Sequence, residues 1–228
     1  MKMSTELSSE INILYRDNSI VVAVKPRGYI SESAASGNGT GSPIRSFPDE
    51  LMKSLSLREI YPVHRLDRET EGIMVYALSA SSASNLSSSI RDCRFIKGYD
   101  AWIHGVPESP EGSFRDLLFK DSRSSKVYVV KRERKGVRSA SLSYKLVETV
   151  RLRDGSLISH VNIVLDTGRT HQIRVQFGSR RMPVLGDRRY GSADNYPPIA
   201  LSATSLTFPH PDDGRTMSFS IPFNYNVI

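Results

Sequence analysis

The stretch His64–Ser79, HRLDRETEGIMVYALS, sets one carboxylate, Asp67, between Arg65 and Arg68 and then runs straight into an apolar segment. Ile73 to Leu78 is a short apolar run of strand length, which predicts a buried strand with Asp67 at its mouth. Two readings fit the charges. A mixed-sign turn before a strand is ordinary solvated surface. Alternatively, Asp67 is a reactive group held ionised by flanking guanidinium groups, which favour the charged form of a carboxylate. This stretch alone leaves both open.

Upstream, Ile20–Lys25 reads as a strand stopped by Pro26 and turned at Gly28. SESAASGNGTGSP, residues 31–43, has no apolar period and predicts a mobile loop. Leu51 and Leu55 fall four apart, predicting a helix over Pro48–Ser56. Downstream, Ser79–Arg91 predicts a polar helical connection capped by serine. FIKGYDAWIHG then alternates as a strand does, with Lys97, Tyr99 and Ala101 on one parity. Further strands are predicted at Lys126–Val130, Ala140–Val147 and Ile158–Leu165, with LRDG at 152–155 as a hairpin turn. RTHQIRVQF predicts one helix ending at Gly178, with Ile173 and Phe177 on its apolar face and His171 and Arg174 as neighbours on another. Ile199–Phe208 and Met217–Ile221 close the chain as strands around PHPDDGR. The sum is a single compact α+β unit, mostly antiparallel strands with a few helices.

The chain has 228 residues, 39% hydrophobic, enough to bury a substantial core. It has no run of about 18 apolar residues, and MKMSTELSSE lacks the apolar centre of a signal peptide, so a cytoplasmic protein is expected. Cys93 is the only cysteine; it rules out an intrachain disulfide and a cysteine-based zinc site, and is expected in the core. The five histidines (His64, His104, His160, His171, His210) lack metal-ligand spacing, so no metal is expected. A Walker loop, a GxSxG elbow and an HExxH helix are all missing.

The net charge of +7 is concentrated: between Lys120 and Arg138 lie eight basic residues against two acidic ones, and Arg180, Arg181, Arg188 and Arg189 surround the turn MPVLGD. Such fields attract polyanions, nucleic acid foremost, although a solvated hairpin has the same composition. What remains for chemistry is an aspartate, a tyrosine and an arginine with a nearby histidine. A carboxylate is a competent nucleophile or base at a sugar carbon without any cofactor.

Taken together, the segments carry a resemblance. HRLDRETEG resembles the HRLDxxTSG motif of the RluA-type pseudouridine synthases. ILYRDNSIVVAVKPRG is similar to that family's opening strand ending in KPxG, KGYDAWIHG to KxYxAxVxG, and TGRTHQIRVQF to GRxHQ[IL]RVH. PVLGDRRYG resembles P[IVL]xGDxxYG, and ALSATSLTFPHP the closing LHAxxLxFxHP. The six lie in order from about Ile11 to about Phe223. The resemblance implies a bent mixed sheet with a cleft and a cofactor-free isomerisation of uridine in ribosomal or transfer RNA. It also implies a catalytic domain over residues 11–228 behind a ten-residue extension, too short for the S4-type RNA-binding domain that many relatives carry. By resemblance Asp67, at the cleft floor, is the catalytic aspartate. Tyr99 is the tyrosine that packs on the base and helps move the C5 proton, and Arg174 is the arginine paired with the aspartate. Arg65, Arg68 and His171 are implied to contact RNA beside the site. Lys126, Lys131, Arg132, Arg134 and Lys135, on a flexible hairpin, are implied to grip phosphates. Three positions depart from the pattern: Glu71 for serine, Gln176 for histidine and Ser202 for histidine. An RNA-binding protein with an idle site and a nucleoside glycosidase are the rival readings.

Overall fold

The computed structural model describes residues 11–33, 45–194 and 198–225. The predicted strand Ile20–Lys25 forms as β2, paired with a short β1 (Ile13–Arg16) that hydrophobic pattern alone does not separate from it. α1 (Phe47–Leu55) begins where Ser46 accepts the Asp49 N–H and Pro48 occupies the first turn, and it ends at Ser56 in the left-handed conformation. β3 (Tyr61–Pro62) precedes the motif turn, and β4 (Glu71–Ala77) follows it. α2 (Ala80–Arg91) is capped by Ser79, as predicted. Cys93 corrects an expectation: it is exposed, at φ 56 in the turn that reverses the chain after α2, and not in the core.

β5 (Ile96–His104) is followed by β6 (Glu111–Asp121), a strand absent from the sequence-based expectation because charges interrupt its alternation. β7 (Lys126–Val130), β8 (Val137–Arg151, longer at both ends than predicted) and β9 (Leu157–Leu165) complete the antiparallel run. α3 (Gln172–Ser179) is followed by a 3-10 turn at Arg188–Tyr190, then β10 (Leu201–Pro209) and β11 (Thr216–Ser220).

All eleven strands join one sheet in the order β1-β2-β4-β10-β5-β9-β8-β6-β7, with β11 added to β10 and β3 to β4. Among the described pairs only β4 and β10 run parallel. Their approach depends on Gly72: a Cβ there would stand 2.3 Å from the Ala203 carbonyl oxygen, and its φ of 139° suits glycine. β2 and β4 are buried on both faces. Val21, Ala23, Met74 and Tyr76 meet Phe47 and Leu51 of α1, while Val22, Ile73 and Val75 meet Leu86 of α2 with Phe95 and Phe208. Each such fully buried large side chain stabilises the fold by roughly 1.5–3 kcal/mol. That double burial explains why residues 73–78 read as an unbroken apolar run.

α3 departs from its predicted two-faced form. Gln172 to Phe177 are all buried, and His171 lies before the first turn, at φ 51. Each polar residue in the buried stretch has an internal partner: Gln172 bonds Thr167 and the Ser141 carbonyl, Gln176 bonds Asp116, and Arg174 bonds Asp187. The predicted loop at 31–43 lies outside the described residues from Ala34 onward. No helix among the described residues is long and apolar enough to cross a membrane.

Candidate active site

The turn carrying Asp67 is pinned from several directions. Ser31 accepts the Leu66 N–H and donates to the Leu66 carbonyl, both at 2.9 Å. The Gly28 N–H donates to the Arg68 carbonyl at 2.8 Å, and Arg68 Nε donates back to the Gly28 carbonyl at 3.1 Å. His64 clamps the turn to β4 by accepting the Val75 N–H at Nε2, 3.1 Å away. Burial and the nearby Lys97 push its imidazole down to about 3, so it acts as a neutral strut. Behind the turn Lys25 is fully buried, with Nζ donating to the Pro26 and Tyr29 carbonyls at 3.0 and 2.9 Å. Burial lowers its ammonium to about 8, against the pull of Asp67 and Glu71.

The guanidinium that reaches Asp67 comes from 107 residues away. Arg174 Nη1 is 3.4 Å from Asp67 Oδ2. Its shorter bonds go elsewhere: Nε and Nη2 fork onto the two carboxylate oxygens of Asp187 at 2.7 and 2.9 Å, and Nη2 is 3.2 Å from Glu69. Two parallel charge-assisted bonds fix the guanidinium plane. Burial opposes the charge on Arg174, but the bonds and carboxylates of Asp187, Asp67 and Glu69 outweigh it and raise its pKa.

His171 Nε2 lies 3.9 Å from Asp67 Oδ2, and its Nδ1 is 2.8 Å from the Tyr190 hydroxyl, which also accepts the Val127 N–H. Burial keeps His171 below the usual histidine range. If Tyr190 donates to Nδ1, the ring proton sits on Nε2, facing Asp67. Tyr99 is 7% exposed, and burial together with the Asp67 charge pushes its phenol up, so it stays protonated at neutral pH.

Asp67 stands on the wall between two cavities. An outer cleft of about 900 Å³ is lined by Arg27, Arg65, Arg68, Glu69, His171 and Arg189 among others. An inner cavity of about 360 Å³ is lined by Val63, Lys97, Tyr99, Leu165, Arg169 and Leu201, and shares Asp67, His171 and Arg174 with the cleft. Asp67, Tyr99, Arg174 and His171 are therefore brought together. Arg65 and Arg68 reach the cleft wall but make no ion pair with Asp67: Arg65 pairs with Glu32 at 3.3 Å, and Arg68 serves the Gly28 carbonyl. The reading in which these sequence neighbours hold Asp67 is thereby corrected. Both are tied to the Gly28–Glu32 segment instead.

The predicted phosphate-gripping residues lie at the far edge of the sheet. Lys131, Arg132, Arg134 and Lys135 are exposed, without a carboxylate partner among the described residues, and Arg134 covers the Phe119 ring at 4.3 Å. Lys126 lies 5.7 Å from both the Tyr128 and Tyr190 rings. The hairpin does not stand free, because Leu118 and Val127 pack with Val175 of α3 and Tyr190.

The departing residues all find partners: Glu71 pairs with Arg27 at 3.1 Å, Ser202 donates to the Glu71 carbonyl at 3.3 Å, and Gln176 Nε2 donates to Asp116 at 2.7 Å, although its buried Oε1 has no hydrogen-bond partner among the described residues. Sequence reasoning does not find Asp187, Tyr190 and Lys25 as site residues. GDRRYG and KPRG are both visible as motifs of the resemblance, but no role is attached there to Asp187, Tyr190 or Lys25. Among the described residues no group of three or more His, Cys, Asp or Glu could hold a metal ion.

Residues 19–179 match the family model described as RNA pseudouridylate synthase. The chain belongs to that family. A "Ribosomal large subunit pseudouridine synthase C" of Buchnera aphidicola is 31% identical over 99% of this chain and 71% of its own length. A "Ribosomal large subunit pseudouridine synthase D" of Neisseria meningitidis is 30% identical over 93% of this chain and 58% of its own. Of solved structures, "Human RNA Pseudouridylate Synthase Domain Containing 1" superposes with a TM-score of 0.74 at 22% identity, covering 93% of this chain and 83% of that one, so the synthase fold is shared. The family acts by isomerising uridine to pseudouridine in RNA, which agrees with the six motifs.

Proposed function

We propose that this synthase isomerises one particular uridine in a structured ribosomal or transfer RNA, with Asp67 as its catalytic group. The observation that carries the reading is the buried Arg174–Asp187 fork, which sets Arg174 Nη1 3.4 Å from Asp67 between two connected cavities. Asp67 engages the everted nucleotide as the C1′–N1 bond breaks. The uracil turns, a C1′–C5 bond forms, and the proton leaving C5 is balanced by one gained at N1, so nothing is released and no cofactor is consumed. Tyr99 packs on the base, and any part it takes in moving the C5 proton starts from the protonated phenol. Reaching the glycosidic bond requires drawing the nucleotide out of its stack. Arg65, Arg68 and His171 are suited to fill that gap, while Lys126, Lys131, Arg132, Arg134 and Lys135 bind backbone phosphates. We place the enzyme in the cytoplasm, acting without metal through residues 11–228 as one catalytic unit.

Pseudouridine mapping of total RNA from cells with and without the gene tests this reading, with loss of a discrete site expected. Recombinant protein restores the site, whereas Asp67→Asn binds the RNA within about twofold of the parent and turns over at least about a thousandfold more slowly. Free uracil in the reaction would mean hydrolysis, and an active Asp67→Asn would remove the aspartate from the chemistry.

A further inference from the structure

We propose that Lys97 and Arg169 form a seat for a phosphate ester adjoining the target uridine, so that the inner cavity takes a nucleotide and not a bare base. The proposal deepens the synthase reading and rests on it. Four cations line this cavity: Arg65, Lys97, Arg169 and Arg174. Two of them are already answered, Arg174 by Asp187 and Glu69, and Arg65 by Glu32. Lys97 and Arg169 have no carboxylate partner among the described residues; Arg169 Nε donates to a neutral acceptor, the Ser139 carbonyl, at 3.0 Å. The single acid on the wall, Asp67, is engaged by Arg174 and faced by His171.

Lys97 is half-buried, and burial together with the charge on Arg169 pushes its ammonium below the ordinary lysine range. Lys97 thus carries its charge in a half-buried place with a second cation, the exposed Arg169, acting on it, an electrostatic cost that an incoming anion relieves. Glycine at 168 spares the ammonium a tight neighbour: a Cβ there would stand 3.0 Å from Lys97 Nζ, and the lysine end would have to shift to admit it. The rest of the lining suits a base, since Val63, Leu165, Ile173 and Leu201 are apolar and Tyr99 supplies a ring. Lys97 and Tyr99 are two apart on one face of β5, about 7 Å along the strand, comparable to the span from a nucleobase to its own phosphate. Cationic head and aromatic floor thus have the layout of a nucleotide.

Uridine, uridine 5′-monophosphate and uridine 3′-monophosphate are the probes, titrated into the whole chain and followed by NMR. One monophosphate is expected to bind at least about tenfold more tightly than uridine, and which one does so names the phosphate. Lys97→Met and Arg169→Met each erase most of that preference, the double variant loses little more than either alone, and Lys97→Arg keeps it with the fold. Equal affinity for uridine and both monophosphates, or a preference that survives Lys97→Met and Arg169→Met, overturns the seat. In a second arm, RNA from cells lacking the gene serves as substrate. There Lys97→Met raises KM with kcat nearly kept, and the salt slope of kcat/KM falls by about 0.7 for the one phosphate no longer neutralised; a fall in kcat at unchanged KM and slope also overturns it. The binding arm needs no turnover, so failure of the synthase reading and failure of the phosphate seat are told apart.

Discussion

Around Arg174 positive charge is buried and answered by carboxylates at 2.7, 2.9 and 3.2 Å, whereas on the Lys126–Arg138 edge it is exposed and left open. The first arrangement fixes geometry, because a forked guanidinium has one orientation. The second fixes none and leaves charge available to displace counterions from RNA. The same residue types are therefore held fast in one region and left open to an anion in the other, and what separates them is the supply of acid.

Asp187→Ala strikes the buried side hardest. It leaves a guanidinium that is 4% exposed with only Glu69 at 3.2 Å and Asp67 at 3.4 Å, so a loss of about 3 kcal/mol in chemical denaturation is expected together with loss of turnover. Stability within about 1 kcal/mol of the parent would break the contrast. Lys25 sharpens it from another angle, as a buried cation bonded only to carbonyls. Its folded value near 8 lies below the unfolded lysine value, so below pH 8 both states carry the charge and the burial cost is felt in full. As pH climbs from 8 towards 10.5 the folded state sheds its proton first, and stability rises by up to about 3 kcal/mol. Lys25→Met should flatten that rise in denaturation curves taken across the window.

A smaller effect is expected at the junction of the two regions. Tyr190→Phe removes the hydroxyl joining the Val127 N–H to His171, at a cost of about 1–3 kcal/mol, read as faster amide exchange at Val127. The smallest change in stability is expected at the open edge. Replacing Lys131, Arg132, Arg134 and Lys135 with alanine should move stability by less than about 0.5 kcal/mol. The same variant should weaken RNA binding and flatten its salt dependence by about 0.9 for every phosphate left without its cation.

Much of this was legible in the sequence, for identifiable reasons. β2 and β4 carry apolar runs of strand length, the second half of β9 alternates as a half-exposed strand does, and Ser79 announces α2. β6 was not legible, since Arg115, Asp116 and Lys120 break its alternation and its burial comes from β8 and α3. α3 misled because its polar residues are buried against partners far along the chain, which helical periodicity cannot register. At the site, motifs singled out Asp67, Tyr99 and Arg174, which the fold brings around one cavity, but the pairing of Asp67 with its sequence neighbours was not what the fold delivers. Contact there is decided by a loop reaching back from Gly28 and a helix arriving from residue 172. Asp187 sat inside a recognised motif yet was given no role, because the motif does not tell which distant side chain its carboxylate meets.

The parallel pairing of β4 with β10 at Gly72 and Ala203 joins segments far apart in the chain. The strand leading out of the reactive turn is bordered on one side by a segment made more than a hundred residues later, and Arg174 and Asp187 also emerge late. The border of β4 can therefore close only once the chain has been made as far as Ala203, which makes this part of the sheet a late contact of high sequence separation.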